Sequence, residues 1–146
     1  PYSLIEAAGE DDLLPDCQSE RIGVMIYSPM HKGLLTGKYT GEETFADFRQ
    51  NHPDFSGDRF RYLASRVKSL QPLADKYDLT IYQLVLATTL MHPSINDAVC
   101  GIKTRDQIAE ALGAVDKELS REDYFEVRKA VGPGPTKVAD TKGSRK

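Results

Sequence analysis

Ile22-Gly23-Val24-Met25-Ile26-Tyr27-Ser28-Pro29-Met30-His31-Lys32-Gly33-Leu34-Leu35-Thr36-Gly37-Lys38-Tyr39 is the stretch that decides how this chain is read. Ile22 to Tyr27 is nearly continuous apolar sequence, which suits a parallel strand covered on both faces. Ser28-Pro29 ends it, because proline has no amide to give a ladder. Residues 30–57 follow as a long loop rich in Gly, Thr and charge. Loops of that length are usually functional or mobile.

The flanking segments alternate between strand and helix. Tyr2-Ser3-Leu4-Ile5 reads as a strand exit, and Asp11 to Ser19 as a short helix with Leu13 and Leu14 on its apolar side. Residues 58–77 read as one helix that carries Leu63, Val67, Leu70 and Tyr77 on one face, with a kink at Pro72. Three helices then open on capping signatures: Thr80 with Gln83, Thr104 with Gln107, and Ser120 with Asp123. Ile81, Leu84, Val85 and Thr88 form the inward stripe of the first, and Ile108, Ala111, Leu112 and Val115 that of the second. Ile95 to Ile102 is a strand candidate between them, and the last helix runs from about Ser120 to Val131. Alternating strands and helices predict an α/β fold whose parallel sheet has helical crossovers.

At 146 residues the chain can bury one core. A net charge of −3 excludes a general nucleic-acid binder, so any anion site must be local. Cys17 and Cys100 have no metal spacing and no disulfide framework, and Cys100 reads as a buried thiol. No run approaches a membrane span and no signal peptide opens the chain, so the cytoplasm is the expected compartment. An opening on Pro1-Tyr2 without Met reads as a cut or a fragment boundary. Residues 132–146, after Gly132-Pro133-Gly134-Pro135, read as a disordered tail.

The motifs resemble the C-terminal half of an aldo-keto reductase, in the potassium-channel β-subunit-like branch. Tyr2-Ser3-Leu4 is similar to the end of that family's sixth strand, and Ile22 to Pro29 to its seventh. Gly33-Leu34-Leu35-Thr36-Gly37-Lys38-Tyr39 resembles the loop that follows, and Asp47-Phe48-Arg49 a segment further along it. Gly101-Ile102-Lys103-Thr104-Arg105-Asp106-Gln107-Ile108-Ala109-Glu110 resembles the eighth strand's exit and its helix. The resemblance implies a partial (β/α)8 TIM barrel over residues 1–131: the C-terminal half, with about three parallel strands and flanking helices.

The family reduces aldehydes and ketones with NADP(H), and the resemblance implies cofactor contacts for this chain. Ser28, the amides near Gly33 and Leu34, and Lys38 would face the pyrophosphate, since eight-fold barrels often build a phosphate site after strands seven and eight, and Pro29, Met30 and Arg49 would be further cofactor contacts. Glycines there let amides come close to an anion. Gly101, Lys103, Thr104 and Arg105 stand at a helix start that favours an anion, with Lys103 and Arg105 toward a 2′-phosphate. Gln107 and Glu110 would lie beside the adenosine. The family often has Asn after that Glu, where this chain has Ala111. The family's catalytic Asp, Tyr, Lys and His belong to the first half of the barrel and have no counterpart here. A chain without them is expected to be inactive alone, and to pair with the missing half or a second copy.

Other readings stand beside these. Gly33 to Lys38 has three residues between its glycines, whereas an ATP loop needs four and a Ser or Thr after the Lys. Ser28 with His31 does not resemble a nucleophile elbow, and His31 reads as a surface loop residue. His52 and His92, each before Pro, read as turn residues, and Tyr62 and Tyr77 as core or helix surface. Lys103 and Arg105 can be solvated helix-start charges, Arg49 can pair with Asp47 or Glu43, and Glu110 can pair on its helix. A non-catalytic nucleotide-binding or interaction module, or a gene remnant without function, is the alternative to an enzyme half.

Overall fold

The computed structural model describes residues 1–132. Two short parallel strands, β1 (Met25–Tyr27) and β2 (Asp97–Val99), pair with Met25 opposite Asp97 and Tyr27 opposite Val99. Around them lie α1 (Leu13–Ser19), α2 (Gly57–Lys68), α3 (Gln71–Lys76), α4 (Ile81–Leu90), α5 (Arg105–Leu112) and α6 (Arg121–Val131). The fold is α/β with a parallel strand pair, as the alternation of elements predicts, and is the partial (β/α)8 barrel that the family resemblance implies.

The core is made mainly by helices and by the loop after β1. Leu34 and Leu35 of that loop share one buried cluster with Phe60, Leu63 and Val67 of α2, Leu84 and Val85 of α4, and Val127 and Val131 of α6. Tyr39, Phe45, Phe55 and Phe60 pack largely edge to face with centroids 5.3–6.2 Å apart, the arrangement that ring quadrupoles favour. Thr80 and Gln83 close a full capping box on α4. Thr104 and Ser120 each accept from an amide of the first turn of their helices, α5 and α6. All three caps are those the sequence predicts.

Several boundaries differ from the sequence reading, for local reasons. Tyr2-Ser3-Leu4-Ile5 is not a third strand among the described residues. Tyr2 donates its amide to the Tyr27 carbonyl at 3.1 Å, but the Ser3 hydroxyl accepts from the Glu6 amide and turns the chain back. Residues 22–24 fall outside β1 because the Val24 amide goes to the Asn96 side chain rather than to backbone. The 58–77 segment is two helices. It breaks at Ser69-Leu70, and Pro72 sits in the first turn of α3, where a missing amide costs nothing.

Burial also departs from expectation. Met25, Tyr27 and Val99 are exposed on one sheet face, so β1 is covered on one side only, by way of Ile26. Leu13 is exposed while Leu14 is buried. The predicted inward stripe of α5 faces outward: Ile108, Leu112 and Val115 are 48%, 64% and 48% exposed, and Ala111 is half-buried. Helix α5 packs on α4, and no described element covers its far side. The long loop is not featureless, since it carries 3-10 turns at His31–Thr36, Phe48–Asn51 and Pro53–Phe55. Apart from Gly132, the predicted tail lies outside the described residues.

Candidate functional site

The loop after β1 and the start of α5 face each other across a cavity of about 540 Å³. Its walls include Ser28, Pro29, Met30, Gly33, Lys38 and Arg49 on one side, and Gly101, Lys103, Gln107 and Glu110 on the other. The volume lies within the ordinary range of small-molecule sites, about 300–1,000 Å³. Segments more than fifty positions apart in sequence thus converge on one space, as their resemblance to a cofactor site implies.

The remaining site candidates stand differently. Leu34 is a core residue, 1% exposed, so only its backbone can face a ligand. Thr104 is absent from the wall and caps α5 through its hydroxyl. Arg105 is exposed at the first position of α5, also off the wall. Lys32, Thr36, Tyr82, Cys100 and Ile102 complete the cavity lining. Tyr82 is recruited because α4 places it opposite the end of β2, a proximity that no sequence spacing reveals. Cys100 is half-buried on this wall, not fully buried as expected.

Polar groups around the cavity are held in place. Arg49 grips Asp47 through both carboxylate oxygens, at 3.0 and 2.6 Å, and donates to the Tyr39 hydroxyl at 2.5 Å. The Arg49 bonds and, secondarily, Lys103 bring the Asp47 carboxyl down to about 2. The Gln107 side chain accepts from the Lys103 amide at 2.7 Å, which fixes the turn into α5. Glu110 accepts from the Thr80 hydroxyl at 3.0 Å. Lys32, Lys38 and Lys103 add positive charge to the same wall. Cations next to the N-terminus of a helix of eight residues suit an anionic ligand.

His31 corrects the sequence reading, because it is 3% exposed and not a surface residue. Its Nε2 lies 2.7 Å from Asp54 Oδ2, and its Nδ1 lies 3.4 Å from the Ser3 hydroxyl, not beside Ser28. The His31 bond first, and Arg59 after it, hold the Asp54 carboxyl down at about 2 against its burial. His31, His52 and Asp54 bring potential metal-ligating atoms within 4.8 Å of one another. The Asp54 carboxylate is spent on His31 and Arg59, and the Arg59 guanidinium would repel a cation. His52 and His92 each accept from an amide two residues ahead, as turn residues do.

The chain is similar to known proteins. Residues 1–131 match the family described as Aldo/keto reductase family. An NADH-specific methylglyoxal reductase of Escherichia coli is 32% identical over 122 residues, which span 84% of this chain and 37% of that protein. A probable voltage-gated potassium channel subunit beta of Arabidopsis thaliana is 31% identical over 116 residues, 73% of this chain and 34% of its own. The solved structure of a glycerol dehydrogenase from Gluconobacter oxydans superposes with a TM-score of 0.82 at 25% identity, over 91% of this chain and 43% of that one. The chain therefore spans less than half the length of these relatives. Among the described residues no helix is long and apolar enough to cross a membrane. Aldo-keto reductases are oxidoreductases that use nicotinamide cofactors, and this chain belongs to their family.

Proposed function

We propose that residues 1–131 are the cofactor-holding C-terminal half of an aldo-keto reductase domain, and that the ligand of the cavity is NADP(H). The observation that carries this is the cavity itself, where Ser28, Gly33 and Lys38 meet Gly101, Lys103 and Gln107. The donor set fits the group: three lysines, glycine backbone and a helix N-terminus suit a polyphosphate. NADPH supplies the hydride for a carbonyl. This chain's residues would bind and orient its anionic part, with Lys103 and Arg105 toward the 2′-phosphate and Gln107 and Glu110 toward the adenosine.

The parent reaction on this reading is reduction of an aldehyde or ketone to an alcohol. This chain has no counterpart of the family's catalytic Asp, Tyr, Lys and His, and loss of general-acid help alone forfeits about 10²–10⁴-fold. Activity therefore needs the first half of a barrel, joined or supplied by a partner. The exposed Met25, Tyr27 and Val99 support this, as does β2, which among the described residues is paired on one side only. The same exposed faces favour a second reading, an interaction module that pairs with another copy. Cytoplasmic residence belongs to both, and the two free cysteines suit it.

Fluorescence titration of NADPH and NADH against the full chain tests the cofactor. NADPH is expected to bind more tightly, and Lys103→Ala and Arg105→Ala to weaken it about tenfold each, the scale of a lost charge-assisted bond. Unchanged affinity in both variants, or the NADH preference in the name of the E. coli relative, would overturn the 2′-phosphate assignment.

A further inference from the structure

The turn that lines the cavity is held in an uncommon shape from behind. Ser28, His31, Lys32 and Gly33 have φ values of 62°, 44°, 57° and 94°. Three of the four carry side chains that the left-handed region disfavours. Such strain persists only where surrounding structure over-determines it. Backbone bonds contribute, from the His31 amide to the Ser28 carbonyl at 2.9 Å and from Gly33 to Met30 at 2.9 Å. The Leu34 and Leu35 side chains are sunk in the core just beyond.

The other restraint is the His31 ring. Ser28, Pro29, Met30, Lys32 and Gly33 line the cavity, and His31 between them does not. Its ring points away, stacks parallel to Phe55 with centroids 6.4 Å apart, and ends on Asp54. Asp54 is itself held by Arg59, and the opposite ring nitrogen faces the Ser3 hydroxyl. Glu6, 3.7 Å from Nδ1, and the edge of the His52 ring complete its surroundings. One side chain thereby ties the segment before α1, the cavity loop and the start of α2 together.

We propose that His31 is a positioning residue: through its bond to Asp54 it pins the Ser28–Gly33 turn in the shape that receives the dinucleotide phosphates. This rests on the cofactor reading above. His31 is not part of the cavity wall, so its effect on affinity is indirect and runs chiefly through its shortest bond, to Asp54.

The test uses the full chain with His31→Ala, His31→Gln, Asp54→Ala and the double Ala variant. Dissociation constants for NADPH are measured on folded protein, and backbone amide NMR shifts of residues 28–35 are recorded without ligand. Glutamine can still donate to Asp54, so it separates the bond from the mere volume of the ring. Expected is a weakening of at least tenfold in His31→Ala and in Asp54→Ala. The double variant should be no weaker than either single one, and His31→Gln should recover to within about threefold. The amide shifts should move in both Ala variants and stay near wild type in His31→Gln. Affinity within twofold of wild type in folded His31→Ala, or additive losses in the double variant, would overturn the proposal. Failure of wild type to bind any dinucleotide would strike the cofactor reading alone. The amide shifts still decide the pinning, and unmoved shifts in His31→Ala would refute it. If His31→Ala does not fold, the same comparison is made between His31→Gln and His31→Leu.

Discussion

The Thr80 hydroxyl accepts from the Gln83 amide at 3.1 Å and donates to the Glu110 carboxylate at 3.0 Å. A single atom thus caps α4 and restrains a residue on the cavity wall. Thr80→Ala should cost about 1 kcal/mol, the scale of a lost N-cap, and Thr80→Ser should restore most of it. Urea unfolding curves of the three proteins check this. Equal midpoints for wild type and the alanine variant would contradict it.

Gly41 has φ +96°, and an added Cβ would stand 2.7 Å from the Arg61 Cα in α2. That atom is backbone and cannot swing aside. Gly41→Ala should therefore destabilise the chain by about 1–3 kcal/mol. Gly57, also at positive φ but in open space, is the control, and its alanine variant should lose clearly less in a thermal melt.

Acid should loosen the chain through Asp54. Its carboxyl lies at about 2, below the ordinary value of about 4, so its ionised form is bound more strongly in the folded state. That contribution is complete above about pH 4 and is lost as the pH falls toward 2. Asp54→Asn should be less stable than wild type at pH 6, and the gap should close between pH 4 and 2. A gap that stays constant over a pH series of urea midpoints would show that the charge of Asp54 contributes nothing.

Leu112 and Ile108 are apolar yet uncovered on α5. In this chain alone, Leu112→Ser or Ile108→Ser should alter stability by less than about 0.5 kcal/mol. If a barrel half or a second copy covers that face, the same variants should weaken the association. Sedimentation of the chain with and without a co-expressed first half from a relative reads this directly.

Much of the architecture was legible because it depends on local chemistry. Thr80-Gln83, Thr104-Gln107 and Ser120-Asp123 start their helices where the caps stand, and Ser28-Pro29 ends β1. The two walls of the cavity followed from resemblance rather than from periodicity. Illegible were facts set by what lies opposite. The stripe Ile108-Leu112-Val115 has the right period for burial but no neighbour, so the pattern misled. His31 and Asp54 lie in one long loop, and nothing in their spacing announces that the ring turns inward. Pro72 reads as a kink in one helix, but the break at Ser69-Leu70 makes it part of the first turn of a second.

The pairing of β1 with β2 carries a kinetic consequence. The Val24 amide meets the Asn96 side chain at 2.8 Å across 72 positions of chain. Closing a loop of that length costs about 4 kcal/mol of chain entropy on a simple polymer estimate, and only three residue pairs repay it. Contacts between neighbours in the chain, such as α3 on α4, should therefore form before the sheet register is set, and the two strands cannot pair until β2 and the roughly 70 residues between it and β1 have been made.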